Sequence, residues 1–244
     1  ALNKNDNPDR AFLSFDEFLR GLPAGVQLFS LFQSRPALLD LLAELIGQVP
    51  ALARELTHHS SLFDAVLNPD FFSAFPDEET LCREIQSLLE LAEDEEQVLD
   101  SLRRFVREKK FKCAVLFLRH LIDKDKLGRC LSSIVTAALS VLCPVVVRAF
   151  EKKYGRFEGA SFSLVLLGKA GSREMSFSSD LDLLFIYDVP EQQTESAGGT
   201  SSLSPGVYYA RLAQRIVNAL TVNTREGILW PVDMRLRPSG NAGP

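Results

Sequence analysis

Apolar residues recur at helical spacing through the first two thirds of the chain and at strand spacing only towards its end. Leu81, Ile85, Leu88 and Leu89 follow one another at intervals of one, three and four, and Val98, Leu99, Leu102 and Val106 repeat the pattern, which predicts two amphipathic helices. Their starts are marked by acidic residues, Asp77, Glu78 and Glu79 before the first and residues 93–96 before the second, where a helix N-terminus favours negative charge. Earlier, Ser14 and Glu17 make an S-x-x-E capping box beside Phe15, Phe18 and Leu19. Pro36 opens the apolar run 37–42, and Pro50 restarts the chain after Gly47. Residues 130–147 carry no charge, but Ser132, Ser133, Thr136, Ser140 and Pro144 interrupt them and Arg129 and Arg148 bracket them. That composition predicts a buried core helix rather than a membrane span. The Lys/Arg-rich stretch 103–112 reads as a solvated helix face, or alternatively as a docking patch for an acidic partner.

The pattern changes near Tyr154-Gly155. Residues 162–167 and 183–187 are compact apolar runs with strand character, and 190–206, rich in Ser, Thr, Gly and Gln, reads as a mobile loop. Helical spacing returns over 207–220 through Tyr209, Leu212, Ile216 and Leu220. The stretch 228–236 reads as a closing strand. Ile228, Trp230, Val232, Met234 and Leu236 alternate with Leu229, Pro231, Asp233, Arg235 and Arg237. The first set is expected to face the core, with Asp233, Arg235 and Arg237 in a row on the opposite face. Pro231 cannot donate to a ladder, so this strand is expected at a sheet edge or with its N–H side free at that residue. The expected class is therefore α+β, with a helical region over 1–157 followed by a small α/β unit over 158–244.

Composition narrows the function classes. At 244 residues the chain can bury a core without staples. Hydrophobic residues at 46% and charged residues at 24% exclude disordered and collagen-like classes. A formal net charge of -5 points away from a long nucleic acid as partner, because phosphate contacts call for a basic field. Cys82, Cys113, Cys130 and Cys143 form no C-x-x-C pair and read as reduced thiols of a cytoplasmic protein. His58, His59 and His120 have neither zinc-ligand spacing nor the company a catalytic triad needs. Residues 1–10 are polar and charged and make no signal peptide, and the absence of an initiator Met suggests a processed chain or a piece of a longer one.

Three features in the last third bear on chemistry. Gly168-Lys169-Ala170-Gly171-Ser172 follows a predicted strand and precedes a possible short helix. Glycines there let backbone N–H groups approach a phosphate, although a plain strand-to-helix turn would look the same. Ser178-Ser179-Asp180-Leu181-Asp182 runs into the second strand, so Asp180 and Asp182 fall on one face. Two carboxylates side by side need a cation, and magnesium takes hard oxygen ligands together with substrate phosphates. Asp233 on the closing strand supplies a third carboxylate. A glycine-serine turn, a D-x-D at a strand start and a third Asp on a later strand together match the arrangement of a metal-dependent nucleotidyltransferase.

The strings around these features resemble glutamine synthetase adenylyltransferase. They are residues 167–175, residues 178–183, Gly227-Ile228-Leu229, Val232-Asp233-Met234-Arg235-Leu236-Arg237-Pro238-Ser239-Gly240 and Gly243-Pro244, together with residues 22–30 near the start. The resemblance implies an N-terminal helical bundle and a nucleotidyltransferase-like domain of polymerase β type, incomplete at its C-terminal side. It also implies Mg²⁺-dependent transfer of AMP from ATP to a tyrosine of glutamine synthetase, with the PII signal protein as regulator and no membrane partner. On the matching positions Asp180, Asp182 and Asp233 would hold metal and carry catalysis. Gly171, Ser172, Lys169, Arg235 and Arg237 would bind the nucleotide. Family enzymes carry an AMP-removing and an AMP-attaching domain, and Arg-Pro-Ser-Gly at 237–240 and the Ser-Arg-Glu-Met string at 172–175 suit the attaching kind. The alternatives are phosphorolytic removal of AMP and a non-catalytic nucleotide-sensing, partner-binding module. Leu166 stands where the family often has a glycine, which makes the phosphate turn stiffer on that side.

Overall fold

The computed structural model describes residues 68–234 and scattered positions between residues 16 and 66. The capping box at Ser14, the Pro36 and Pro50 helix starts, Arg235 and Arg237 lie outside the described residues. Contacts divide the chain into two units, Ala1–Ala74 and Phe75–Pro244. In the first, Leu56, Leu62, Val66 and Phe71 are buried, and a 3₁₀ turn at Pro69–Phe72 starts at Asn68, whose side chain accepts from the Asp70 N–H.

The second unit opens with three helices whose ends the sequence marks plainly. Helix α1 (Glu78–Leu89) is capped by Asp77, which accepts from the Thr80 N–H at 2.9 Å, and it buries Leu81 and Ile85. Helix α2 (Glu95–Leu118) is capped by Asp94, which accepts from the Gln97 N–H at 2.8 Å. It stops where His120 takes a φ of 55° and the Leu121 N–H reaches back to the Leu116 carbonyl, a Schellman-type ending. Helix α3 (Lys124–Tyr154) is capped by Asp123. By length and composition α3 could cross a membrane. Here it is the central helix, with Ile134, Ala137 and Ala138 fully buried and neighbours on several sides.

A three-stranded mixed sheet follows. Strand β1 (Ser161–Leu166) pairs antiparallel with β2 (Leu181–Asp188), and β2 pairs parallel with the short β3 (Val232–Asp233), in the order β1-β2-β3. Between them lie the four-residue helix α4 (Gly168–Gly171) and helix α5 (Pro205–Thr221). Alternation gives the sheet two faces. Phe162, Leu164, Leu166, Leu181, Leu183 and Phe185 join the core that α1, α2, α3 and α5 also build. Asp182, Leu184, Ile186 and Asp188 fall on the other face. The chain is thus α+β with a small mixed sheet, and one core draws on both the helices and the sheet.

Three expectations need correction. Among its described residues, the closing strand predicted over 228–236 is a strand only at Val232–Asp233, and the predicted alternation fails before it. Leu229 and Trp230 are both buried while Ile228 and Met234 are exposed. The reason is that the Leu229 and Trp230 N–H groups both donate to the Leu220 carbonyl at the end of α5, so the chain turns there instead of extending. The basic stretch 103–112 is not a solvated face, since Arg103 is 2% exposed and Arg107 and Lys109 are mostly covered. The loop 190–206 is irregular but well tied: Ser196 donates to the Tyr154 carbonyl, Ser201 N–H and Thr200 Oγ1 to that of Lys153, and Arg156 pairs with Ala197. Gly155, at φ 70°, permits that approach, because a Cβ there would overlap the Ala197 carbonyl.

Candidate active site

The site is assembled by the end of β1, the start of β2 and β3. The β1–β2 ladder runs to Leu166 opposite Leu183, and one more bond, from the Leu167 N–H to the Asp182 carbonyl (2.9 Å), carries it a step further. Gly168 therefore arrives directly at Asp182. Its φ is 53°, and a Cβ added there would overlap Asp182 Oδ2. Glycine is required here twice, for the backbone angle and for room beside the carboxylate.

The chain then coils through α4. The Gly171 N–H donates to the Leu167 carbonyl and the Ser172 N–H to that of Gly168, both at 3.0 Å. Ser172 Oγ donates to Glu174 Oε2 at 3.1 Å. The Gly171 N–H is thus engaged within the turn, and its lack of a side chain lets the turn sit on the Leu166 carbonyl. Lys169 is exposed, with no ion-pair partner among the described residues. Arg173 ends the turn with a φ of 61° and pairs with Glu78 at 3.1 Å. Ser179, which is buried, shapes the approach to β2: its Oγ accepts from the Ser176 N–H at 3.0 Å and shares a 2.8 Å bond with Ser176 Oγ.

Asp180 is exposed and Asp182 half-buried, and they share strand parity. The β2–β3 register sets Leu181 opposite Val232 and Asp182 opposite Asp233. Asp182 and Asp233, from distant parts of the sequence, are therefore neighbours on adjacent parallel strands, on the sheet face away from the core. Neither Asp180 nor Asp182 has a hydrogen-bonded or ion-paired side-chain partner among the described residues. No three His, Cys, Asp or Glu side chains among the described residues lie close enough together to hold an ion as they stand. The donor set still fits Mg²⁺, which needs only one or two carboxylates and completes its shell with water and substrate phosphates. Asp180 and Asp182, without a charge partner among the described residues and beside a glycine turn, give a hard cation both reason and room to bind.

A set of charged residues on α2 contacts the end of α5 and the turn that leads to β3, a role that the sequence reading did not give them. Asp100 is 1% exposed, and its carboxylate accepts from Thr224 Oγ1 (2.7 Å) and Arg225 Nε (3.0 Å). Burial works against that charge, but the hydrogen bonds from Thr224 and Arg225 and the charges of Arg225 and Arg103 outweigh it, holding the carboxyl below the usual range. Burial pushes the Arg103 guanidinium down, opposed by Asp100 and Glu226. The one available signal was spacing, since Asp100, Arg103, Arg104 and Arg107 recur on one helical face. The cysteines take no part in this site: all four are free thiols, Cys113 is fully buried, and burial pushes Cys143 up to about 11.

Comparison with known proteins bears on the whole arrangement. The chain matches the profile of the family described as glutamate-ammonia ligase adenylyltransferase over residues 39–244. It is 41% identical over 244 residues to a bifunctional glutamine synthetase adenylyltransferase/adenylyl-removing enzyme of Mesorhizobium japonicum, covering all of this chain and 25% of that protein. A protein of the same description from Brucella melitensis gives the same identity and coverage. One from Rhizobium meliloti is 38% identical over 236 residues, 97% of this chain and 24% of its own length. The chain therefore spans about a quarter of the length of these curated relatives. With a profile match over most of its length, the chain belongs to the glutamate-ammonia ligase adenylyltransferase family.

Proposed function

We propose that this chain carries a Mg²⁺-dependent nucleotidyltransferase site that transfers AMP from ATP to a tyrosine hydroxyl of glutamine synthetase, releasing pyrophosphate. One observation carries the reading: the parallel register that sets Asp233 beside Asp182 on the open face of the sheet, next to the Gly168 turn. On this reading residues 158–244 supply the chemistry and residues 1–157 form a helical region. The protein is cytoplasmic, and a PII signal protein regulates it.

Asp180 and Asp182 would hold Mg²⁺ with the triphosphate, and Asp233 would share in holding a second ion. When bound, the metal neutralises charge on the leaving pyrophosphate and lowers the acceptor's pKa, the usual contributions of metal ions to phosphoryl transfer. Asp233 would accept the phenolic proton, which an unperturbed tyrosine holds to a pKa of about 10. Ser172 Oγ can turn from Glu174 to donate to a phosphate oxygen. Lys169 can bring its ammonium to the triphosphate, and Arg235 and Arg237, by family resemblance, add cationic charge there. Gly171, whose missing side chain lets the turn close on the Leu166 carbonyl, would let Ser172 and Lys169 serve the nucleotide from that turn. The relatives' description also names an adenylyl-removing activity, which favours a second reading in which the same residues run phosphorolysis.

The test uses Asp180→Asn and Asp182→Asn, with Mg–ATP binding and AMP incorporation both measured. Each variant is expected to lose nucleotide binding and transfer, and full activity in both would remove the site. Asp233→Asn is expected to lower turnover more than nucleotide affinity. Supplying ATP with unmodified glutamine synthetase, or phosphate with the adenylylated enzyme, separates the two directions.

A further inference from the structure

Strand β3 is two residues long, helped onto β2 by the bond from the Leu181 N–H to the Pro231 carbonyl (3.0 Å). So short a ladder cannot by itself hold a side chain within the roughly 0.5 Å that a catalytic group tolerates. Helix α2 holds what precedes it. The stripe of Asp100, Arg103, Arg104 and Arg107 reaches the end of α5 and the turn at 224–227. Arg103 Nη2 donates to the carbonyls of Val222 (2.8 Å) and Ala219 (3.3 Å), and Asp100 takes Thr224 and Arg225. Arg107 grips Glu226 twice, by Nη1 to Oε2 at 2.9 Å and by Nη2 to the backbone carbonyl at 2.7 Å. Arg104 adds a longer contact to Glu226 Oε1 at 3.7 Å.

The hold continues along the chain. The Thr224 and Gly227 backbones bond each other, and the Leu229 and Trp230 N–H groups donate to the Leu220 carbonyl. Trp230 is 1% exposed, with the Lys110 ammonium 4.7 Å from its ring centroid. Most of the stretch from Ala219 to Pro231 is thus tied to α2, to the end of α5 or to itself. Burying Asp100 and Arg103 is costly, and apolar residues could fill the same space at less cost. Charged groups aimed at the carbonyls and side chains of one turn instead fix where that turn sits.

We propose that Arg107, acting through Glu226, is a positioning residue that sets β3 in register on β2 and so holds Asp233 beside Asp182, with Asp100 and Arg103 completing the clamp. The assignment rests on the nucleotidyltransfer reading above and extends it to residues remote from the motifs.

The experiment uses the full 244-residue chain with Arg107→Gln, Glu226→Gln, the double variant and Arg107→Lys. Trp230 is the single tryptophan, so its emission reports on this segment alone. Arg107→Gln is expected to red-shift that emission and to speed amide exchange over 228–234, leaving β1 unchanged. Turnover in AMP transfer should fall by about tenfold or more while KM for Mg–ATP stays within about twofold. Glu226→Gln should match it, and the double variant should be no worse than either single one, as for two residues acting as one unit. Arg107→Lys, which keeps the charge and loses the fork, should recover part of the turnover and carries the same readouts should Arg107→Gln fail to fold. Unchanged emission and exchange, additive losses in the double variant, or KM rising in step with the fall in turnover would overturn the clamp. A wild-type chain that transfers no AMP sinks the functional reading instead, and emission and exchange then still decide whether the clamp holds β3.

Discussion

Gly168→Ala tests the candidate site at its tightest point. The residue sits at φ 53°, and its missing side chain is the space that Asp182 Oδ2 occupies. A left-handed conformation costs an L-residue about 1–2 kcal/mol. Pushing the Asp182 carboxylate off its rotamer costs about 0.5–1.5 kcal/mol more. The sum, about 1.5–3.5 kcal/mol, leaves an ordinary domain of about 5–15 kcal/mol folded. It corresponds to a fall in Tm of about 3–14 °C for a chain of this size. The functional cost is larger, because a misplacement of about 1 Å in a reacting group can lose about 10²-fold in rate. Thermal melts and labelled-AMP incorporation from Mg–ATP would be measured together. Gly159→Ala is the control: at φ 71° it bears the same backbone strain, but its added Cβ would meet only Pro190 Cγ at 3.8 Å. The expected result is a loss of Tm in both variants, larger in Gly168→Ala because it alone displaces the Asp182 carboxylate, with a rate loss of about 100-fold confined to Gly168→Ala. Equal rates in the two variants would show that the Asp182 carboxylate is not where the chemistry happens.

Two further expectations concern stability. Asp100 keeps its charge to lower pH in the folded chain than in the unfolded one. Its stabilisation is therefore complete above the ordinary value of 3.8 and is lost as pH falls through its lower folded value. Denaturant titrations across the acid range should show Asp100→Asn less stable than wild type at neutral pH and the gap closing on acidification; a constant gap would contradict the assignment. Gly155→Ala should destabilise by more than about 2 kcal/mol, since it combines left-handed strain with overlap on the Ala197 carbonyl. A melt within about 2 °C of wild type would mean that the 190–206 segment moves aside freely.

Much of the secondary structure was legible because it follows from local rules. Asp77 and Asp94 cap the helices whose acidic starts the pattern marked, and the helical spacing found over 207–220 falls within α5. The 228–236 segment misled because period-2 alternation assumes an extended chain. The Leu220 carbonyl, which takes two N–H groups from that segment, belongs to an element set beside it only by folding. The basic stretch 103–112 misled for a related reason. Charge density along a helix reads as solvation unless the partner is known, and here Arg107 meets Glu226 across more than a hundred residues of chain.

What the sequence by itself determined is the local chemistry: which stretches coil or extend, that Asp180 and Asp182 share a face, and that a glycine-bearing turn precedes them. Those follow from backbone sterics and side-chain periodicity, which act over a few residues. The tertiary structure alone decided that Asp233 stands opposite Asp182, that Gly168 makes room for that carboxylate, and that a charged stripe on α2 grips the turn leading to β3. Strand register and the pairing of buried charges depend on which distant surfaces meet, and no periodicity within a single segment encodes that.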